Sequence, residues 1–149
     1  MTDDALALYQ QVILEHYRRP RNVGPLADGA EHATGDNPIC GDRITVYVRV
    51  SGGFVTDATF EGTGCAICIA SASLMTGIVQ GRTIDEIDGL IERVHDLVSA
   101  APGAPVGDVG TAAALAGVRQ FPVRARCALL PWQTLRAAAH QGGTVVSTE

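Results

Sequence analysis

No apolar run in this sequence approaches the ~18–20 residues that a membrane-spanning helix needs. No secretory signal is expected at this N-terminus either: Met1-Thr2-Asp3-Asp4 is acidic where such a signal is basic, and no uninterrupted apolar stretch follows. The expected compartment is therefore the cytoplasm, a reducing one. Positive charge is scarce, with 11 Lys+Arg against 16 Asp+Glu and a net charge of -5. A chain of that sign attracts no phosphate backbone by its bulk field, which argues against generic nucleic-acid binding. Cysteine is sparse, four in 149 residues, too few for a disulfide scaffold. In a reducing compartment these four read as metal ligands or reactive thiols. There is no repeat, low-complexity tract or linker, and no Gly-rich phosphate loop, Ser-His-Asp set or paired catalytic carboxylates. What is present is a 46% hydrophobic fraction, enough for a real core. The expectation is one domain over 1–149, with the residues from about 142 a loose tail.

The apolar spacing of Leu6, Tyr9, Ile13 and Tyr17 predicts a helix near Asp4–Arg18, stopped by Pro20. Residues 20–42, rich in Pro, Gly, Asn and Asp, read as a long loop with an edge strand near 30–35. Ile44, Val46, Val48 and Val50 alternate with polar residues, Ser51-Gly52-Gly53 turns, and Phe54–Phe60 alternates again, which predicts a hairpin over 43–60. A second helix is expected over Ala66–Gln80, burying Ile67, Ile69, Leu74, Met75 and Ile78. Thr83 and Glu86 form a capping box for a third helix running to about Val98. Ser99–Gly107 reads as a loop, after which Asp108 is placed to cap a short Ala-rich helix to Leu115. A last helix is expected from Phe121-Pro122 to about Ala139, ended by Gly142-Gly143. Pro131 inside it removes a backbone donor and predicts a kink or a late start.

The informative residues sit at element boundaries. Cys40-Gly41-Asp42 precedes the first long strand, Cys65 stands where the hairpin hands over to a helix, and Cys127 lies in the first turns of the last helix. Three thiols and a carboxylate match the donor count of a tetrahedral zinc site. Zinc would hold the sulfurs as thiolates, their nucleophilic form. Against this, a free cysteine is as often a small buried hydrophobe, although flanking glycines and a nearby acid weigh the other way for Cys40 and Cys65. Cys68 makes a CxxC with Cys65, a redox or metal pair in other settings, and is read here as packing. Among the histidines, His32 in the loop before Cys40 is the best candidate for a residue behind the ligands. His16, His95 and His140 read as helix-surface or partly buried. Arg124 and Arg126 flank Cys127 and could screen an anionic site or steady a charged persulfide.

Several motifs in order resemble one family. Leu8-Tyr9, Ile13-Leu14-Glu15-His16-Tyr17, Pro20-Arg21-Asn22, Asn37-Pro38-Ile39-Cys40-Gly41-Asp42, Phe60-Glu61-Gly62-Thr63-Gly64-Cys65 with Ala70-Ser71-Ala72-Ser73, Phe121-Pro122 and Cys127-Ala128-Leu129-Leu130 resemble the IscU/NifU-N/SufU iron–sulfur cluster assembly proteins. The resemblance implies a compact α+β fold, a small antiparallel sheet against helices with the metal site at one end. Two departures from the scaffold subtype, Arg126 where that subtype has histidine and the long segment between Cys65 and Cys127, resemble the SufU subtype. That subtype implies a zinc-dependent sulfurtransferase accepting persulfide sulfur from a SufS-type PLP cysteine desulfurase and passing it to downstream iron–sulfur assembly proteins. Carried over, the zinc ligands are Cys40, Asp42, Cys65 and Cys127, and Cys40 is the acceptor, released when a partner imidazole takes its place. The alternative is a scaffold that assembles a [2Fe–2S] cluster on the same cysteines and transfers it.

Overall fold

The computed structural model describes residues 3–27, 29–140 and 145–147. The fold is α+β. Helix α1 (Asp3–Arg18) leads into strands β1 (Glu31–Asn37), β2 (Asp42–Ser51) and β3 (Phe54–Thr63). Helices α2 (Ala66–Val79) and α3 (Ile84–Ser99) follow, then a 3-10 helix (Gly110–Gln120), a 3-10 turn (Pro122–Arg124), helix α4 (Ala125–His140) and strand β4 (Val145–Ser147).

The sheet order is β3-β2-β1-β4. β2 pairs antiparallel with both neighbours, in a register that sets Asn37 opposite Asp42 and Val46 opposite Phe60. The alternation read from the sequence holds: Ile44, Val46, Val48, Ala58 and Phe60 face inward and are buried. The strand expected near 30–35 is longer, and β4 pairs parallel with it over Thr34–Asp36. β1 is therefore not the sheet's edge along that stretch, and Val145–Ser147 is a strand where a loose tail was expected. Gly142 and Gly143 lie outside the described residues.

α4 and α2 cover the inner face of the sheet. α4 approaches β1 so closely that a Cβ on Gly35 would run into the Thr134 hydroxyl. α4 starts at Ala125, later than Phe121-Pro122, and continues through Pro131. The residue after Pro131, Trp132, donates its indole N–H to Ser71 Oγ at 2.9 Å, and Ser71 donates to the Ala128 carbonyl at 2.6 Å. One α2 hydroxyl thus satisfies two buried polar groups beside the proline. On α2, Leu74 and Met75 are buried as expected, but Ile67, Ile69 and Ile78 are only half-buried.

α1 packs on α2 and on the 3-10 helix through Tyr9 and Ile13. Gly117 makes this possible, because any side chain there would strike the Tyr9 ring. The Thr83–Glu86 capping box is formed on α3. The expected Ala-rich helix is instead 3-10 over Gly110–Gln120, preceded by Val109 with no side-chain cap, so Asp108 does not cap it. Small side chains there add little packing to favour the wider α-helix. Buried Arg119 ties this segment down by donating to the carbonyls of Leu97, Ala104 and Pro105. Among the described residues no helix is long and apolar enough to cross a membrane.

Candidate metal centre

Four segments converge at one end of the molecule. β1 ends at Asn37, whose carbonyl accepts the Cys40 N–H at 3.2 Å, closing a tight turn through Pro38. Gly41 sits at φ +73°, a conformation glycine takes without strain, and lets the chain reverse into β2. Asp42 opens β2 and is fully buried. Its Oδ1 accepts the Cys65 N–H at 2.8 Å, which locks the start of α2 onto β2. Gly64 permits that approach, since a Cβ there would lie 2.8 Å from Asp42 Oδ1.

Ligand atoms of Cys40, Asp42 and Cys127 all lie within 4.8 Å of one another. The Cys40 and Cys127 sulfurs are 3.5 Å apart, and Cys65 Sγ is 4.0 Å from Asp42 Oδ2. A zinc tetrahedron with Zn–S of about 2.3 Å has S–S edges of about 3.7 Å, so the Cys40–Cys127 separation suits one ion. The grouped donors suit it as well: two soft sulfurs and one oxygen, with Cys65 beside Asp42 but outside the group. Cys127 is buried, whereas Cys40 and Cys65 are half-buried.

The thiols divide by electrostatics. Cys65 is pulled down to about 6, chiefly by the neighbouring Cys127 thiol. Burial opposes this, and the N–H groups of Cys68 and Ile67 at the start of α2 assist it. Cys127 moves the other way, because its proton is held by Cys65 and its surroundings are buried and acidic. The pair therefore loses its first proton well below the ordinary thiol range. In metal-free protein, alkylation of Cys65 should rise with a midpoint near pH 6, against about 9 for unfolded chain, read by mass spectrometry. The lowered Cys65 value favours the fold, a contribution lost as pH falls through about 6, while the raised Cys127 value works against the fold above pH 9, where the unfolded thiol ionises.

Cys68 is fully buried, and burial pushes its thiol up, consistent with packing. His32 is not near the centre. It lies on β1 opposite Tyr47, tilted against that ring with centroids 5.8 Å apart, five residues back along the strand from Asn37. The strand runs on past the expected 30–35 to Asn37, and this carries the His32 side chain away along the sheet. Arg124 and Arg126 are exposed on the rim. Arg124 stays protonated through its contact with Cys127 and the nearby thiolates. Arg126 lines a cleft of about 380 Å³ together with Asn37, Ile39, Cys40, Pro122 and Val123.

In the sequence Tyr9 stands only in the apolar spacing of α1 and in a motif. Its ring stacks on Phe121, and burial first, then the Cys65 charge, pushes its hydroxyl up. Nothing local in the sequence signals this, because α1 is brought there by packing against Gly117.

The model of the NifU-like N-terminal domain matches residues 8–128, a span that holds all three thiols and the carboxylate of this centre. The chain belongs to this family. The Zinc-dependent sulfurtransferase SufU of Bacillus subtilis (strain 168) is 41% identical over 138 residues, covering 91% of this chain and 93% of that protein. The Iron-sulfur cluster assembly scaffold protein IscU of Streptococcus pyogenes serotype M1 is 37% identical, covering 88% and 82%. A crystal structure of the N-terminal part of a NifU-like protein from Brucella abortus superposes with a TM-score of 0.78 at 28% identity, covering 90% of this chain and 93% of that one.

Proposed function

We propose that this chain is a zinc-dependent sulfurtransferase in iron–sulfur cluster assembly, working as a single domain in the cytoplasm. Its sulfur donor is a SufS-type PLP cysteine desulfurase, and downstream assembly proteins receive the sulfur. Cys40, Asp42, Cys65 and Cys127 would hold zinc, which when bound keeps the sulfurs as thiolates at neutral pH. The observation that carries the reading is the meeting of the Cys40 and Cys127 sulfurs with the buried Asp42 carboxylate, with the Cys65 sulfur 4.0 Å from that carboxylate. A buried carboxylate is stable only when paired or metal-bound.

Cys40 is the acceptor. It lies in a turn rather than on a helix, and it opens onto the cleft, whereas Cys127 is buried. Its sulfur attacks the outer sulfur of the donor's persulfide. The donor S–S bond breaks, the donor leaves as a thiolate, and a persulfide is left on Cys40, with no net oxidation. Exposed Ile39, Phe121 and Val123 surround this cleft and suit an apolar docking contact, with Arg124 and Arg126 at its rim.

The scaffold reading is favoured by the likeness to the IscU protein of Streptococcus pyogenes. Arg126 argues against it, since the scaffold subtype has histidine there. Anaerobic addition of iron and sulfide, followed by visible absorption, tests the two. The expected protein stays colourless and zinc-loaded and speeds a cysteine desulfurase. A stable, transferable coloured cluster would establish the scaffold instead.

A further inference from the structure

Two groups of motif residues lie away from the thiols: His16 with Arg21 and Asn22, and Ser73. They meet on the flank of α2, where Ser73 is eight residues beyond Cys65, about 12 Å along the helix. His16 Nδ1 lies 2.7 Å from Ser73 Oγ, which also accepts the Arg21 N–H at 2.9 Å. Asn22, at φ +57°, donates to Thr76 at 3.1 Å. The Ser73 hydroxyl has no other hydrogen-bond partner among the described residues, so its proton goes to His16 Nδ1. That leaves Nε2 as the protonated nitrogen, a neutral donor.

These residues line an open pocket of about 470 Å³ together with Arg82, Thr111, Leu74, Gly77 and Ile78. The volume suits a small organic ligand. Two guanidiniums and an imidazole line it and no carboxylate does, in a chain of net charge -5. Glu15, just outside, pairs with Arg21 at 3.2 Å. Arg82 Nε donates to the Ile78 carbonyl, while its terminal N–H groups bond no described residue.

Gly77 supplies an independent observation. It sits inside α2, where glycine costs roughly 0.5–1 kcal/mol relative to alanine. A Cβ there would meet nothing within 4 Å, so the fold does not require the glycine. The glycine lines the pocket, where a larger side chain would take up space.

We propose that this pocket binds a small organic molecule bearing a phosphate or carboxylate group, with Arg82, Arg21 and His16 Nε2 on the oxyanion and the apolar lining against the remainder. The site shares no residue with the cleft at Cys40, so it stands or falls apart from the sulfur-transfer reading.

The test titrates AMP, citrate and inorganic phosphate separately into the metal-loaded full chain, followed by calorimetry and amide chemical shifts. AMP or citrate should saturate, with shifts at His16, Gly77 and Arg82, and inorganic phosphate should bind about tenfold more weakly for want of the apolar contacts. Arg82→Gln should weaken binding about tenfold, the loss of one charge-assisted bond. Gly77→Met should abolish binding without lowering the melting temperature, and Glu15→Gln, which releases Arg21, should tighten it. The proposal is overturned if none of the three probes saturates, if phosphate alone binds as tightly as both organic probes, or if Gly77→Met binds like the wild type.

Discussion

Cys40→Ala protein should fold and pack like the parent yet give no stimulation of a cysteine desulfurase and take up no sulfane sulfur. The turn that carries Cys40 is held by its own backbone, Cys40 N–H to Asn37 carbonyl, and by glycine at 41, neither of which needs the thiol. Zinc binding should weaken with one donor lost. Cys127→Ala should behave differently. Cys127 is fully buried in the first turn of α4, and its loss removes a donor and opens a void beneath α2. That variant should lose metal and stability together, by about 1–3 kcal/mol from the void alone. The contrast separates an acceptor from an anchor. Sulfur uptake by Cys40→Ala at the parental rate would remove Cys40 from its role.

The second large effect concerns metal removal. Binding only the folded state at a thousandfold excess of free zinc over its Kd stabilises by about 4 kcal/mol. For a chain of this length that corresponds to roughly 10 °C in melting temperature. The metal-free protein should still fold, because the buried core extends well beyond the thiols, through Val46, Val48, Phe60, Trp132 and Leu135. Loss of the metal should loosen the 37–42 turn and the starts of α2 and α4, where buried Asp42 would remain beside three sulfurs. Calorimetry with and without chelator checks this, and a shift below about 2 °C would speak against a bound structural ion.

Much of the fold could be read from the chain because its signals are local. The alternation of Ile44, Val46 and Val48, the Thr83–Glu86 capping box and the helix-stopping Pro20 each depend on a few neighbouring residues. What escaped the reading depends on distant partners. β4 exists through its pairing with β1, and Ser71 supports α4 beside Pro131 from another helix. The 3-10 form of Gly110–Gln120 is held by Arg119 reaching carbonyls 14 to 22 residues away. At the candidate centre, boundary positions and flanking glycines marked the cysteines and Asp42, and the motif likeness supplied their grouping. His32 is near Cys40 in the chain but not in space, because β1 runs on to Asn37 between them. Tyr9 carries no local signal of its surroundings, which packing against Gly117 sets.

The most direct measurement is metal content of the purified protein combined with X-ray absorption at the zinc edge. One zinc per chain with three sulfur neighbours and one light-atom neighbour is the predicted result. Protein without zinc, or zinc bound by fewer than three sulfurs, would contradict the joint role of Cys40, Asp42, Cys65 and Cys127.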